Sequence, residues 1–255
     1  LSFSQERLWF IDQLHGSLEY HMPFALRISG DLDIDALRKS LQDVVDRHEV
    51  LRTVIYSIDG IGYQKLLPAS KWELSQKDLS KDKALLEEES KIFLSKPFDL
   101  SADFMFRSRL YDLGFNEKGD REYVLTGVFH HISSDGWSQG ILVKEFLRLY
   151  SKYASGQEFS LPTLPLQYAD YALWQRAHLD GALLDNHLAY WTDTLEDVSA
   201  LQLPTDYARP AIQSVAGSTI SFELSQTLRT NVNTLSQKEG VTPFMTLLAA
   251  FKVLM

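Results

Sequence analysis

The order of strand and helix patterns constrains the fold of this 255-residue chain most strongly. Strand patterns come in neighbouring pairs: one pair (51–58 and 63–67) flanks the turn "DGIG", and another (104–113 and 122–129) flanks the polar loop "GFNEKGDR". Helical patterns stand before, between and after these pairs, so the chain lacks the regular βαβ alternation of a parallel sheet. We therefore predict an α+β fold, a mixed α/β two-layer sandwich.

The helical segments share apolar residues at spacings of three and four. The segment "DLDIDALRKSLQDVVDRHEV" illustrates this, because Leu37, Leu41, Val44 and Val45 form one apolar stripe and an aspartate precedes it as a cap. We expect one further helix after Ser2 or Ser4, and others at residues 80–97, 136–153, 168–179 and 183–195. One further strand is expected at 20–29, and a short strand at 218–224 is expected to precede two more helices.

A proline-rich stretch, "LPTDYARPAIQSVAG" (203–217), is the best candidate for a linker between two lobes. We therefore predict a first lobe over residues 1–200, followed at 201–255 by the linker and the beginning of a second lobe. The sequence starts at Leu1 without a methionine and stops inside the apolar helical pattern "LLAAFKVLM". From this we expect a piece of a longer polypeptide.

Composition excludes several classes of function. The formal net charge is −9 and the basic residues are scattered, which argues against a nucleic-acid binder, because such proteins neutralise phosphates with clustered Lys and Arg. The chain has no cysteine, so disulfides, thiolate zinc sites and a cysteine nucleophile are excluded, and a reducing, cytoplasmic location is compatible. No stretch approaches the roughly 18 apolar residues that span a bilayer, so no membrane partner is expected.

The stretch "VFHHISSDGWSQG" (128–140) concentrates groups that could carry chemistry. Two adjacent histidines at the end of a strand point to opposite faces, so they do not easily share a metal ion. No G-x-S-x-G elbow presents one of the serines as a nucleophile. Two interpretations stay open: a buried histidine followed by an Asp-Gly turn that starts a helix, or a general base held by its loop, with a glycine that allows close approach.

These residues resemble a known family. "HHISSDGWS" is similar to the HHxxxDGWS motif of condensation domains in nonribosomal peptide synthetases, members of the chloramphenicol-acetyltransferase-like superfamily. "SFSQERLWFIDQL" resembles the first motif of that family, with Ser4 in place of alanine. "RHEVLRT" (47–53) and "YADYALWQ" (168–175) match two more motifs, and "PFDLSADFMFRSRL" resembles another, with Phe104 in place of proline. The resemblance covers the whole chain and implies an α+β lobe of the chloramphenicol-acetyltransferase type, followed by a truncated second lobe.

The resemblance implies amide formation between two substrates, each held as a thioester on the 4'-phosphopantetheine arm of a carrier protein. The expected partners are upstream donor and downstream acceptor carrier domains and an adjacent adenylation domain, with no permanently bound cofactor and no metal. Such chemistry needs modest base assistance and the positioning of two arms, which suits an imidazole. A related coenzyme A-dependent or ester-forming acyltransferase, or a non-catalytic recruitment module of the same fold, is the alternative.

By the family's pattern, His131 is the imidazole in the crevice, either as a general base or as a group that orients the amine. His130 is placed with it in the catalytic stretch, although its side chain is expected to point the other way and to support the loop. Gly136 is expected to leave room for substrate and to offer its backbone N–H to the oxyanion of the tetrahedral intermediate.

Four further residues are expected to support the site. Asp135 is predicted to turn away from the chemistry and to form an ion pair with Arg52, and Trp137 and Ser138 are predicted to have structural roles beside it. In "YADYALWQ", Tyr168, Tyr171 and Trp174 recur at helical spacing, which predicts core packing for all three.

Overall fold

The computed structural model describes residues 1–156, 158–212 and 220–255. These residues divide into two compact units, Leu1–Trp191 and Thr192–Met255, each of which we describe by itself. The unit boundary lies nine residues before the lobe boundary predicted at 200/201, which stays a prediction. Among the described residues, no helix is both long enough and apolar enough to cross a bilayer.

The main sheet has four strands in the order β1-β6-β5-β4. β1 pairs antiparallel with β6, β6 pairs antiparallel with β5, and the short β4 joins the edge parallel to β5. The strand bounds are β1 (His21–Ser29), β4 (Ser75–Asp78), β5 (Phe106–Phe115) and β6 (Arg121–His130). Because β6 lies between two partners and is buried on both faces, its sequence is a nearly continuous apolar run.

A separate hairpin pairs β2 (Thr53–Ile58) with β3 (Ile61–Leu66), as the "DGIG" pattern predicts. The two-residue turn consists of Asp59 and Gly60, which both have positive φ, at 50° and 79°. An Asp-Gly pair suits this turn because the twist of such a hairpin needs left-handed backbone at both central positions.

The helices of the described residues begin and end as follows: α1 (Phe3–His15), α2 (Ile34–Arg47), α3 (Leu86–Ser95), α4 (Gly136–Ser155), α5 (Tyr168–His178), α6 (Gly181–Thr194), α7 (Gln226–Lys238) and α8 (Pro243–Leu254). α2 and α4 pack together on one face of the main sheet, where Leu37, Leu41 and Val45 meet Phe106 and Phe129. A second core lies around Leu8 of α1, with Ile55, Met105, Val128 and Ile132. The alternation of Val128 and Phe129 between these two cores places the end of β6 between them.

The structure departs from the sequence predictions at three places. The helix expected from residue 80 begins at Leu86, after a 3₁₀ turn at Lys83–Leu85, and no side chain caps it. β4 was missed because its residues, "SQKD", carry no apolar alternation and are held only by pairing with β5. The strand predicted at 218–224 is wrong over 220–224, and its residues 218–219 lie outside the described residues, as does 213–217 of the linker.

Among the described residues, α7 and α8 are the only helices that lie wholly within the second unit. Ser225 and Thr242 cap them through their hydroxyl groups, and Pro243 occupies the first turn of α8. The hydroxyl groups of Ser236 and Thr246 lie 2.8 Å apart and join the two helices.

Candidate active site

The stretch 128–140 joins the central strand of the sheet to α4. It leaves β6 at His130, turns through residues 131–134, and enters α4 after Asp135. A cavity of about 510 Å³ opens beside this loop, a volume within the usual range for small-molecule sites. Its lining comes from α1, the 3₁₀ turn after α2, the loop, α4 and the segment that leads into α5. It consists of Ser4, Arg7, Leu8, His48, Val50, Leu51, His131, Ile132, Ser133, Ser134, Asp135, Ser138, Ile141, Leu142, Glu145, Leu164, Leu166, Gln167 and Tyr168.

The imidazole of His131 lies in this cavity and is exposed. Its backbone N–H donates to the carbonyl of Tyr20 at 2.9 Å, and its ring meets the Tyr20 ring edge-on, with centroids 6.5 Å apart. Neither ring nitrogen bonds to a side chain or backbone group of the described residues. Both ring nitrogens are therefore available for hydrogen bonds to a molecule bound in the cavity.

The imidazole of His130 is fully buried and is not part of the cavity lining. Its Nδ1 accepts the backbone N–H of Ile132 at 3.1 Å, so in the neutral ring Nε2 carries the proton and donates to Oγ of Ser17 at 2.9 Å. Burial, with the nearby rings of His21 and His131, lowers the pKa of His130 to about 3. This histidine is therefore neutral and lies behind the loop, as its expected orientation implied, and it does not share the cavity with His131.

Asp135 caps α4, and the ion pair predicted between Asp135 and Arg52 is wrong. Oδ1 of Asp135 accepts Oγ–H of Ser138 at 2.5 Å and the Ser138 backbone N–H at 2.7 Å, and these two bonds lower the pKa of the aspartate. The carboxylate thus has its partners at the helix N-terminus, where negative charge is favoured.

The guanidinium of Arg52 is held by two backbone carbonyls and does not reach Asp135. It donates to the carbonyl of Leu67 at 2.9 Å and to the carbonyl of Asp46 at 3.2 Å. The carboxylates within 4 Å are those of Glu49 at 3.6 Å and Asp46 at 3.9 Å. Because Arg52 ends a 3₁₀ turn that follows α2, its side chain reaches back to the C-terminal end of that helix instead of across to Asp135.

The two residues after Asp135 contribute no side-chain contact to the cavity. A Cβ added to Gly136 would meet nothing within 4 Å in the described residues, so no neighbour there demands a glycine. The side chain of Trp137 is 85% exposed and outside the cavity lining, so the structure does not support its predicted structural role. Ser138, by contrast, donates its hydroxyl and its backbone N–H to the capping carboxylate of Asp135 and also lines the cavity.

The structure adds an ionic cluster that we did not predict. Glu145 on α4 lies 2.6 Å from Nε2 of His48, and both its oxygens accept Nε–H of Arg47 at 3.1 Å. The signal for Glu145 was present in the spacing of α4, because Ser138, Leu142 and Glu145 recur at three and four residues and face one side.

Tyr168 was also misjudged. It lines the cavity, and its hydroxyl lies 3.0 Å from Oγ of Ser2, which joins α5 to the cap of α1. Core packing is also wrong for Tyr171 and Trp174, which are 43% and 55% exposed. Helical spacing alone cannot separate a face that packs on the core from one that borders a cavity.

Within the part of the chain that the structure describes, no group of three or more His, Cys, Asp or Glu side chains is placed to hold a metal ion. The geometry of the two adjacent histidines explains this at the loop, because one ring lies in the buried interior and the other in the cavity.

Comparison with known proteins places this site in a family, because the family model for the condensation domain matches residues 1–255. The chain belongs to the condensation-domain family. This condensation domain is 42% identical over 260 residues to a linear gramicidin synthase of Brevibacillus parabrevis, covering 99% of the chain and 5% of that relative. It thus spans a small part of the length of the curated relatives it matches.

Solved structures agree with this assignment. The SgcC5 protein of Streptomyces globisporus superposes with a TM-score of 0.71 at 28% identity, over 100% of this chain and 59% of that one. The X-domain from teicoplanin biosynthesis, solved in complex with OxyB, superposes with a TM-score of 0.76 at 27% identity, over 95% of this chain and 53% of that one. The predicted α+β fold of chloramphenicol-acetyltransferase type and the predicted family are both confirmed.

Proposed function

We propose that this condensation domain forms an amide bond between an aminoacyl or peptidyl thioester donor and an aminoacyl acceptor. The observation that carries the proposal is the free imidazole of His131 in a cavity of about 510 Å³, on a loop whose neighbouring peptides are hydrogen-bonded. Similarity at 38% identity over 98% of the chain to nonribosomal peptide synthetase kk1B, which is named for making a peptide, supports this reaction class.

The reaction needs one proton to move from nitrogen to sulfur. The acceptor amine attacks the thioester carbonyl, and the new C–N bond gives a tetrahedral intermediate with a negatively charged oxygen. Nε2 or Nδ1 of His131 takes a proton from the attacking nitrogen, the C–S bond breaks, and the proton passes to the departing thiolate. The products are the amide on the acceptor arm and a free thiol on the donor arm.

The backbone N–H of Gly136 is the donor that we propose for the oxyanion. As the first residue of α4, Gly136 has no acceptor for its N–H within the helix. The same helix end provides a positive field that stabilises negative charge. Asp135 takes no part in proton transfer in this scheme, because its carboxylate is already engaged by Ser138.

Both substrates are proposed to arrive on carrier domains, as thioesters of the phosphopantetheine arm. The arm is thus part of the substrate and not a cofactor held by this chain. An adjacent adenylation domain would load the acceptor amino acid on its carrier. The cavity wall combines apolar groups such as Leu8, Ile141 and Leu166 with the polar groups His48 and Glu145, which suits an aminoacyl thioester that has both characters.

Recruitment of another protein is the second candidate function. It is favoured by the X-domain, which shares this fold at 27% identity and forms a complex with OxyB. A coenzyme A-dependent acyltransferase would use the same His131 and differ only in the carrier of the donor acyl group.

The test joins this chain to residues that complete the fold of its relatives and supplies one aminoacyl-loaded donor carrier and one aminoacyl-loaded acceptor carrier. We expect a dipeptidyl thioester on the acceptor carrier, detected by mass spectrometry of the intact carrier. Product from the aminoacyl-coenzyme A donor at the same rate would favour the soluble-donor alternative. Tight binding of a carrier with no product would favour recruitment and contradict the proposal.

A further inference from the structure

A largely buried hydrogen-bond chain runs from Asp12 in the last turn of α1, which is half-buried, to the loop that carries His131. Oγ–H of Ser17 donates to Oδ1 of Asp12 at 2.5 Å, and Oγ of Ser17 accepts Nε2–H of His130 at 2.9 Å. Nδ1 of His130 then accepts the backbone N–H of Ile132 at 3.1 Å. None of these groups is needed for the reaction itself, yet all of them meet directly behind His131.

The direction of every bond in this chain is determined. A carboxylate only accepts, so the Ser17 hydroxyl must point its hydrogen at Asp12 and its lone pair at His130. A backbone amide only donates, so Nδ1 of His130 must be bare and Nε2 protonated. Asp12 and Ile132 therefore select one neutral tautomer of His130 from opposite ends, and the lowered pKa of His130 is consistent with that neutral state.

The inner part of the chain is shielded from water. Ser17 is 4% exposed and His130 is not exposed at all, so water does not readily replace one of these two groups when it is removed, whereas Asp12 is half-buried. A buried donor or acceptor that loses its partner carries the full cost of its desolvation. The network therefore favours one arrangement of its groups strongly over the others.

This arrangement determines how His131 is held. The Ile132 N–H belongs to the peptide that follows His131, and it is fixed by the His130 ring. The His131 N–H belongs to the peptide that precedes it, and it is fixed by the carbonyl of Tyr20. Ser17 and Tyr20 both lie in the connection between α1 and β1, residues 16–20, so this connection restrains the backbone on both sides of His131.

We propose that Ser17 and Asp12 are positioning residues for His131. Ser17 supplies the acceptor that holds the His130 ring against the Ile132 amide, and Asp12 orients the Ser17 hydroxyl so that it can be that acceptor. Without Asp12 the Ser17 hydroxyl can turn and donate its hydrogen to Nε2 of His130. This favours the tautomer that is protonated at Nδ1, and the Nδ1–H then faces the Ile132 N–H, so that two donors meet. The inference rests on the proposed function for its effect on rate, but its structural part does not.

The first measurement uses the folded chain and needs no substrate. Long-range ¹H–¹⁵N spectra at neutral pH should show His130 with a protonated Nε2 and a bare Nδ1. In Ser17→Ala we expect the Nε2 proton to exchange too fast to observe and the Ile132 amide to exchange at least roughly tenfold faster. Ser17→Thr, which keeps the hydroxyl, should restore both signals, and Asp12→Ala should give a mixture of tautomers.

The second measurement follows condensation in the completed fold. For Ser17→Ala we expect kcat to fall by about tenfold or more with little change in KM for the acceptor carrier, because the imidazole is misplaced and carrier binding is untouched. Ser101→Ala is the matched control, since Ser101 donates to Asp99 at 2.6 Å in a similar but exposed Ser-Asp pair away from the loop. This control should behave as wild type.

Each outcome decides one way. Unchanged Ile132 exchange and unchanged kcat in Ser17→Ala would overturn the inference. If that variant does not fold, Ser17→Cys, whose thiol is a weak acceptor, carries the same test, and wild-type spectra and kcat there would overturn it. If wild type makes no dipeptide, the proposed function fails, and the inference is then judged by the His130 tautomer and the Ile132 exchange.

Discussion

Nδ1 of His130 accepts the backbone N–H of Ile132 at 3.1 Å, across the residue that carries the exposed imidazole of the site. One histidine of the pair thus holds the peptide on which the orientation of the other depends. This division makes the buried ring a structural group whose protonation state affects folding, and it leaves the exposed ring for the chemistry that we propose.

The buried histidine predicts a pH dependence of stability. The pKa of His130 in the folded chain is about 3, below the value near 6.5 of an unfolded histidine, so the unfolded state binds the proton first as pH falls. The free energy of unfolding should therefore decrease between pH 7.5 and pH 5, by about 2 kcal/mol from this group. Urea unfolding at the two pH values measures it.

His130→Gln is the control for that prediction. It removes the titrating group and should reduce the difference in unfolding free energy between the two pH values. His21, whose pKa is also lowered by burial, contributes in the same direction and remains in the variant. An identical pH dependence in wild type and His130→Gln would show that His130 is not buried in its neutral form.

Asp135 and Ser138 should be coupled energetically, and Asp135 and Arg52 should not. Asp135→Ala removes an N-cap and should lower the free energy of unfolding by about 1 kcal/mol. In a double-mutant cycle with Ser138→Ala the two effects should be less than additive, because both substitutions remove the bond from the Ser138 hydroxyl to Asp135. The parallel cycle with Arg52→Ala should be additive, and a large coupling there would restore the ion pair that the sequence suggested.

The Glu145 cluster should contribute to stability through the Arg47 cation that it compensates. Glu145→Ala leaves Arg47 and the ring of His48 without their carboxylate in a largely buried setting, so we expect a loss of about 2 kcal/mol in the free energy of unfolding. Glu6→Ala removes an exposed partner of Arg176 and should cost less than about 1 kcal/mol. Equal losses in the two variants would contradict a structural role for the cluster.

Sequence patterns predicted most of this fold because most of its elements carry their own local signals. The apolar stripe of α2, the Asp-Gly turn of the β2–β3 hairpin and the apolar run of β6 are visible in the residues themselves. β4 was invisible because four polar residues become a strand only through pairing with β5. Long-range pairing of this kind leaves no period in the sequence.

The positions of site residues could be predicted where strand alternation determines them. They could not be predicted where they depend on how far a side chain reaches to its partner. Alternation separated the environments of His130 and His131 in advance. The partner of Asp135 was misjudged. An aspartate directly before a helix usually accepts a hydrogen bond from the backbone N–H three residues later, and this local bond takes precedence over an ion pair with a distant arginine. The spacing of α4 places Glu145 on the same helix face as Ser138, whereas Tyr168 needed the packing of α5 beside the loop, which no local pattern contains.

The central claim is that the imidazole of His131 performs the proton transfer of amide formation. The most direct measurement is the single-turnover rate of dipeptidyl thioester formation in the completed fold, compared between wild type and His131→Ala at saturating loaded carriers. We predict a loss of about a hundredfold or more with carrier binding retained. Equal rates in the two proteins would contradict the claim.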